Sequence, residues 1–372
     1  MSDADLRRQI LQSQRYIDER VLHPTTRMIY NNVDWEDPDR WARADFVPPE
    51  ELARSEATGS RRANTDDCAM HGAIYLSALV DCYEVSGADE AVGQARRVFE
   101  GLTTVARVSE RRGFIARGVH PADGSTHLLN SSVDQYTWYV YGLWRLYRSR
   151  LADEGQKAAV RQIMHEICDR IEQDGFDIRN TRGNPGWVSD IGVIRSDRSS
   201  RLLEVYLAGY DVTGNPHWLD IYREKVAENR HARLRSLVDA EGVLWPYTRR
   251  GALQADHAVL QTQVSLLPLF LLDTDIPVRA CCLEALRLNA LLMETRKNRG
   301  RIYQGWEGVT GLHVAVLAHG LSLVPSEHTP PLSDRAALLR ERCRAVLAAA
   351  EPANEGAVAL YWSAVRSGLF PA

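Results

Sequence analysis

Apolar positions along the chain recur at helical spacing, and from about residue 66 they do so in two alternating kinds of stretch. One kind, rich in Leu, Ala, Val and Tyr, falls near 66–86, 132–148, 197–212, 256–272, 307–322 and 355–367. The other keeps Arg, Glu or Lys on one face and falls near 4–20, 89–107, 153–173, 216–235, 276–296 and 332–350. A helix that is apolar all round must be covered all round, whereas one with a charged face can do the covering. Six inner and six outer helices in alternation predict an all-α fold, a closed (α/α)6 toroid built as a single domain. An open solenoid would carry a repeat shared by every helix pair, and none is visible. At 372 residues the chain is long for one domain, but closed barrels reach this size as one unit.

The connections differ on the two sides of the ring. Inner helices pass to outer ones through tight turns, as in YEVSGADEAVGQARRVFE and YDVTGNPHWLDIYREK, where Gly87 and Gly214 stand at expected C-caps and Pro216 suits the next helix's first turn. The return connections are longer: RRGFIARGVHPADGSTHLLNSS, DGFDIRNTRGNPGWVSDIGVIRS, EGVLWPYTRRGALQA and NRGRIYQGWEG, with Gly beside aromatic and β-branched residues that predict short hairpins. Long loops and the N-termini of all six inner helices therefore share one rim, which is where binding groups are expected. Residues 1–65 read as the first outer helix followed by an irregular arm containing Pro24, Pro38, Pro48 and Pro49, placed either over the barrel mouth or around its outside. Residues 66–372 complete the barrel.

Composition narrows the partners. A net charge of -4 gives no excess of basic residues, which argues against nucleic acid or an anionic membrane surface. No apolar run approaches the roughly 18 residues of a membrane span. The polar N-terminal stretch MSDADLRRQILQSQR lacks a signal peptide's apolar core, so the expected location is the cytoplasm. Cys68, Cys82, Cys168, Cys281, Cys282 and Cys343 are scattered without a CxxC pair and read as reduced core residues. Neither a Walker loop, a GxGxxG fingerprint nor an HExxH is present, so no cofactor and no metal is expected. The expected partner is a small-molecule or oligosaccharide substrate, and the oligomeric state is left open.

Helix N-termini offer unpaired N–H groups and a positive dipole end, so the chemistry is sought at the inner-helix starts. The first opens with Asn64-Thr65-Asp66-Asp67; capping accounts for one acid, and a second, with His71 a turn later, exceeds what a cap needs. The second opens with Ser131-Ser132-Val133-Asp134, where a serine serves as cap and Asp134 is left for other work. Gln135, Tyr136 and Trp138 beside it suit a sugar-facing surface, amides for hydroxyls and aromatic faces for pyranose rings, or else are core residues of an inner helix. Arg117, between glycines on the preceding rim loop, is a candidate bidentate partner for a substrate carboxylate. Asp190, Arg195, Asp197 and Arg198 on the next rim loop, Asp256 and His257 at the fourth inner helix, and Trp306 and Glu307 at the fifth complete the candidates.

With TDDCAMHGAIYLSALVDCYEVSG and SVDQYTWYVYGLW each opening an inner helix on Asp, the chain resembles the six-hairpin glycosidase superfamily, and within it the unsaturated glucuronyl and unsaturated rhamnogalacturonyl hydrolases. The resemblance implies a glycoside hydrolase acting on uronic-acid-containing, even unsaturated, oligosaccharides. Asp134 would then be the general acid/base that protonates the C4=C5 vinyl ether and activates water, with Asp67 as a supporting carboxylate and Arg117 or Arg198 holding the sugar acid. Other functions remain open on the same toroid. A sugar 2-epimerase would use histidines as acid and base, with His71, His257 and His313 as candidates. A terpene-cyclase-like enzyme would want a DxDD motif, which Asn64-Thr65-Asp66-Asp67 misses at its first position. A non-catalytic carbohydrate-binding protein would keep binding after loss of Asp134.

Overall fold

The inner helices are apolar on nearly every face, and the structure surrounds them on nearly every face. The computed structural model describes residues 1–56, 62–186, 189–239, 256–298, 306–322 and 333–372; the side chains of 256–257, 294–298, 306–308, 321–322 and 333–335 lie outside that description. Among the described residues the long helices are α1 (Asp3–Tyr16), α2 (Cys68–Ser86), α3 (Asp89–Arg107), α4 (Val133–Arg148), α5 (Glu154–Gln173), α6 (Ser199–Thr213), α7 (Pro216–Val238), α8 (Asp256–Leu272), α9 (Ile276–Asn298), α10 (Trp306–Ser322), α11 (Ser333–Ala348) and α12 (Glu355–Arg366). α1 ends in a single π-helical turn, Ile17–Val21, and α7 is interrupted at Glu228–His231, where Glu228 is extended and Asn229–His231 are left-handed.

Burial follows the two sequence patterns. In α2 all but one residue from Cys68 to Cys82 is buried, whereas in α3 burial is confined to one face, through Ala91, Ala95, Val98, Leu102 and Val105. Each fully buried aliphatic side chain contributes about 1.5–3 kcal/mol, so the ring of inner helices carries most of the driving force. The even-numbered helices pack each against the next, and α12 packs back on α2, closing the toroid. α4 also meets α8 across the ring, so side chains fill the centre. No described helix is long and apolar enough to cross a membrane. The cysteines are free thiols, all buried except the half-buried Cys281.

The two ends of the chain meet on the same outer face. Asp3 is paired with Arg340 and Arg344 of α11, and the same two guanidinium groups lie 5.8 and 6.0 Å from the ring of Phe370. Gln14 of α1 accepts the indole N–H of Trp362 at 2.7 Å and, through its carbonyl, the hydroxyl of Tyr75 at 3.0 Å.

Local signals act as expected at the tight turns. Gly87 and Gly214 take left-handed C-cap conformations with φ of 65° and 69°, and Pro216 opens α7 behind the Asn215 cap. The expected hairpins do not form among the described residues, which hold only isolated bridges such as Arg179 with Pro185. Side chains satisfy the loop backbone instead: Asn180 Oδ1 accepts the N–H groups of Arg182 and Asn184 at 3.0 Å, and Asp123 Oδ1 those of Ser125 and Thr126 at 2.8 Å. The arm docks on the rim, with Tyr30 donating to the Val119 carbonyl at 2.8 Å and Asn31 bridging to Asn64.

Candidate active site

The rim site starts from the way Asp67 begins α2. Asp67 is the N-cap residue, yet its side chain caps nothing. Its Oδ1 accepts from Gln135 Nε2 at 2.9 Å and Arg117 Nη2 at 3.2 Å, and its Oδ2 from Asn31 Nδ2 at 3.1 Å. Gln135 is fully buried; its Oε1 accepts the Met70 N–H at 2.9 Å, so one amide ties the start of α4 to the start of α2. Asp66 contributes its backbone carbonyl, which accepts from Arg117 Nε and from Gln135 Nε2. Gly118 has a packing purpose: a Cβ there would stand 2.7 Å from Cys68 Sγ and 2.8 Å from the Thr65 carbonyl, so only glycine lets the loop carry Arg117 against α2.

Consecutive residues on a helix project about 100° apart, so with Gln135 turned to α2, Asp134 turns to α6. The companion expected for Asp134 is Asp67; the contact found is Arg201, whose Nη1 donates to Asp134 Oδ1 at 2.7 Å. Arg201 is fully buried, while the Asp134 side chain keeps 27% exposure. A second nitrogen, Nη2, donates to the Ala258 carbonyl of α8 at 3.0 Å. Burial pushes the Arg201 guanidinium down and Asp134 partly offsets this. One turn deeper on α6, Glu204 is fully buried, and neither carboxyl oxygen has a hydrogen-bond partner among the described residues. Burial drives its pKa well above the ordinary carboxyl value, with Arg201 opposing. Arg201 and Glu204 are not among the residues expected from sequence, although the signal is there: charged residues in the stretch SSRLLEVYLAGY, whose other residues are uncharged, must find one another or a partner inside.

The next rim loop forms a closed ion network. Arg198 donates to Asp190 Oδ1 at 3.3 Å and to Asp197 Oδ2 at 3.0 Å, and Arg195 pairs with Asp197 and, at 3.6 Å, with Asp190. Burial would raise the Asp197 pKa, but Arg195, Arg198 and Arg201 together bring it below the ordinary value, which also links this loop to the Asp134 pair. His71 lies on the ring-closing seam, its Nδ1 2.5 Å from Glu355 Oε1 of α12. Burial disfavours the charged imidazole, yet Glu355 outweighs it, and the His71 pKa rises above 6.5.

The remaining candidates separate from this group. Tyr136 is buried, donating to the Gly113 carbonyl at 2.9 Å and accepting the Ile115 N–H at 3.1 Å, so its hydroxyl anchors the rim loop and offers no face to a sugar. Trp138 is buried edge-on to Tyr141 at 5.8 Å. Ser132 caps α4 without a side-chain cap bond. The side chains of His257 and Trp306 lie outside the described residues. His313 belongs to the opposite end: it shares a 3.0 Å hydrogen bond with Ser363, which donates to Asp81 at 3.2 Å, and burial pushes its pKa down to about 4. A cavity of roughly 170 Å³ there is lined in part by Asp81, Tyr141, Trp144, Arg145 and Arg366. Its charges are spent on one another, Asp81 accepting from Arg145 at 2.7 Å and Arg366 at 3.1 Å.

No protein-family model and no curated protein matches the chain. Among solved structures it is similar to the cellobiose 2-epimerase from Spirochaeta thermophila DSM 6192, at 12% identity and a TM-score of 0.50 over 98% of both chains. The likeness is one of fold. It agrees with the (α/α)6 toroid derived above, and at that identity it carries no residue roles.

Proposed function

We propose that the chain is a carbohydrate-active enzyme, a glycoside hydrolase acting on uronic-acid-containing oligosaccharides, with Asp134 as its proton-transferring group. The observation that supports this most is the setting of Asp134: a partly exposed carboxylate at an inner-helix start, held at 2.7 Å by a fully buried guanidinium. Asp67 on the neighbouring helix, tied to the same segment through Gln135, is the second carboxylate such hydrolysis uses. On an unsaturated substrate, Asp134 delivers a proton to C4 of the vinyl ether and takes one back from the water that adds at C5, and the hemiketal so formed opens to release the alcohol; on a saturated one, it protonates the leaving oxygen while water adds at the anomeric carbon and gives its proton to Asp67. Arg117 is committed to Asp67, which leaves Arg198 as the guanidinium for the sugar carboxylate, since its 3.3 Å bond to the half-exposed Asp190 is readily exchanged.

Replacing Asp134 with Asn keeps shape while removing the titrating group. Turnover of saturated and unsaturated uronide disaccharides, the latter followed by absorbance of the C4=C5 bond, is expected to fall about 10²- to 10⁴-fold in a folded Asp134→Asn variant. Retention of more than about a tenth of wild-type turnover removes Asp134 from the role.

A sugar epimerase is the second reading, favoured by the His71–Glu355 pair on the same rim and by the name of the structural neighbour. There His71→Asn abolishes epimerisation of a disaccharide's reducing-end sugar and Asp134→Asn leaves it; the hydrolase reading expects the reverse for uronide cleavage.

A further inference from the structure

The N-terminal arm and the loop before α4 enclose a surface groove of roughly 400 Å³ that the rim chemistry leaves unused. Its lining includes His23, Trp41, Phe46, Pro48, His120 and Pro121. It adjoins the site described above through two connections. His120 stands three residues beyond Arg117 on the same rim loop, and Tyr30, whose ring is 5.2 Å edge-on from Phe46 and 6.0 Å from Trp41, is the chain neighbour of Asn31, which holds Asp67. Bridges at Ile29 and Asn31 mark this segment as extended, so Tyr30 and Asn31 point to opposite sides. One side faces the carboxylates and the other builds the groove.

The groove walls are fixed in place. The His23 ring packs edge-on against Trp41 at 4.7 Å, Trp35 packs on Trp41 at 5.5 Å, and Phe46 meets His120 at 5.7 Å. Both imidazoles are set in one tautomer, since His23 Nδ1 accepts the Thr26 N–H and His120 Nδ1 the Ala122 N–H, each at 3.1 Å. Burial pushes the His23 pKa down to about 4, and it also lowers that of His120, against the pull of Asp123. At neutral pH both rings are therefore uncharged. Among the described residues the lining contains no Arg or Lys, and its one carboxylate, Asp45 at the exposed lip, is paired with Arg62 at 3.1 Å. The guanidinium groups nearby are already engaged, Arg62 with Asp45 and Arg40 against the Trp41 ring at 5.4 Å and with the Arg20 carbonyl, so a sugar acid gains little here. A neutral pyranose does find its match, with aromatic rings and proline faces for its C–H surface and an acceptor at the lip for its hydroxyls.

We propose that this groove is an accessory carbohydrate subsite that takes a neutral pyranose unit, on the other side of the Tyr30–Asn31 segment from the rim carboxylates. The inference rests on the carbohydrate reading of the rim, and it adds a second contact area for carbohydrate.

Calorimetric titration of the full chain with cellotetraose, xylotetraose and mannotetraose tests it, in wild type and in Trp41→Ala, Ala122→Arg and Asp134→Asn variants. Ala122 is exposed at the groove lip, so Ala122→Arg blocks the groove even if Trp41→Ala fails to fold. At least one of the three sugars is expected to bind, with affinity lowered about tenfold or more by either groove variant and unchanged by Asp134→Asn. Flat titrations with all three sugars, or binding that Ala122→Arg leaves intact, overturn the proposal. Binding lost in Asp134→Asn and kept in Ala122→Arg places the sugar on the rim alone, which overturns the subsite and spares the hydrolase reading. Groove binding in a chain that cleaves no uronide does the opposite.

Discussion

Arg201 and Glu204 stand one turn apart on an inner helix whose other buried residues are uncharged, and the interior answers each of them differently. Arg201 reaches a carboxylate on α4 and a carbonyl on α8, while Glu204 has no hydrogen-bond partner for either oxygen among the described residues, and burial raises its pKa against the pull of Arg201. Because the folded state then binds the Glu204 proton more tightly than the unfolded chain, the stability linked to it is complete below about 4.5 and lost as pH rises through the raised value. Glu204→Gln removes that titration. Urea unfolding at acidic and alkaline pH is expected to show the variant gaining on wild type as pH rises; parallel pH profiles would mean that Glu204 does not titrate with folding. The capping pattern at a helix start points to neither residue, since Arg201 and Glu204 are the third and sixth residues of α6, past its Arg198 cap. The helix-start position overvalued Tyr136, whose hydroxyl, like that of any buried tyrosine, was bound to find a partner and found loop backbone.

At the level of elements, the alternation of all-apolar and one-faced helices made the helix inventory readable, since periodicity reports how many sides of a helix are covered. Turn glycines and Pro216 were readable for the same local reason. The rim loops before α4 and α6 were not, and those before α8 and α10 lie outside the described residues: Gly and β-branched residues there resemble hairpin sequences, and only the folded chain shows Asn180 and Asp123 taking over the backbone groups a ladder would have used. Of the site, the helix-start carboxylates were visible, but which pairs with which depends on the rotation of α4, and that is set by Gln135. Its amide serves the Met70 N–H, the Asp66 carbonyl and Asp67 at once. Gln135→Leu fills the space but strands those groups, so a loss of about 1–3 kcal/mol is expected in chemical denaturation. A neutral outcome would show that the α2–α4 register is held by packing alone, as at the close approach of Gly142 to Ala73.

For the whole molecule, closure was inferred from counting six pairs and from the lack of a solenoid repeat. Its physical basis is the return of α12 to α2, sealed at the rim by His71 and Glu355 and at the far end by the Asp81 cluster, which draws Arg145, Arg366 and Ser363 from two other inner helices. No local pattern announces such contacts, because the partners lie 64 residues apart for Asp81 and Arg145 and 282 to 285 apart for the rest. With Asp3 and Phe370 sharing the same two arginines, the backbone's beginning and end are neighbours, and connectivity has no preferred origin around the ring. A circular permutant that joins the old ends with a short Gly/Ser linker and opens between Gly87 and Ala88, opposite the long-loop rim, should keep the helical circular dichroism and the cooperative melting of the parent. Loss of cooperative unfolding in that permutant would show that the order in which the hairpins are joined, and not only their mutual packing, is needed to hold the circle shut.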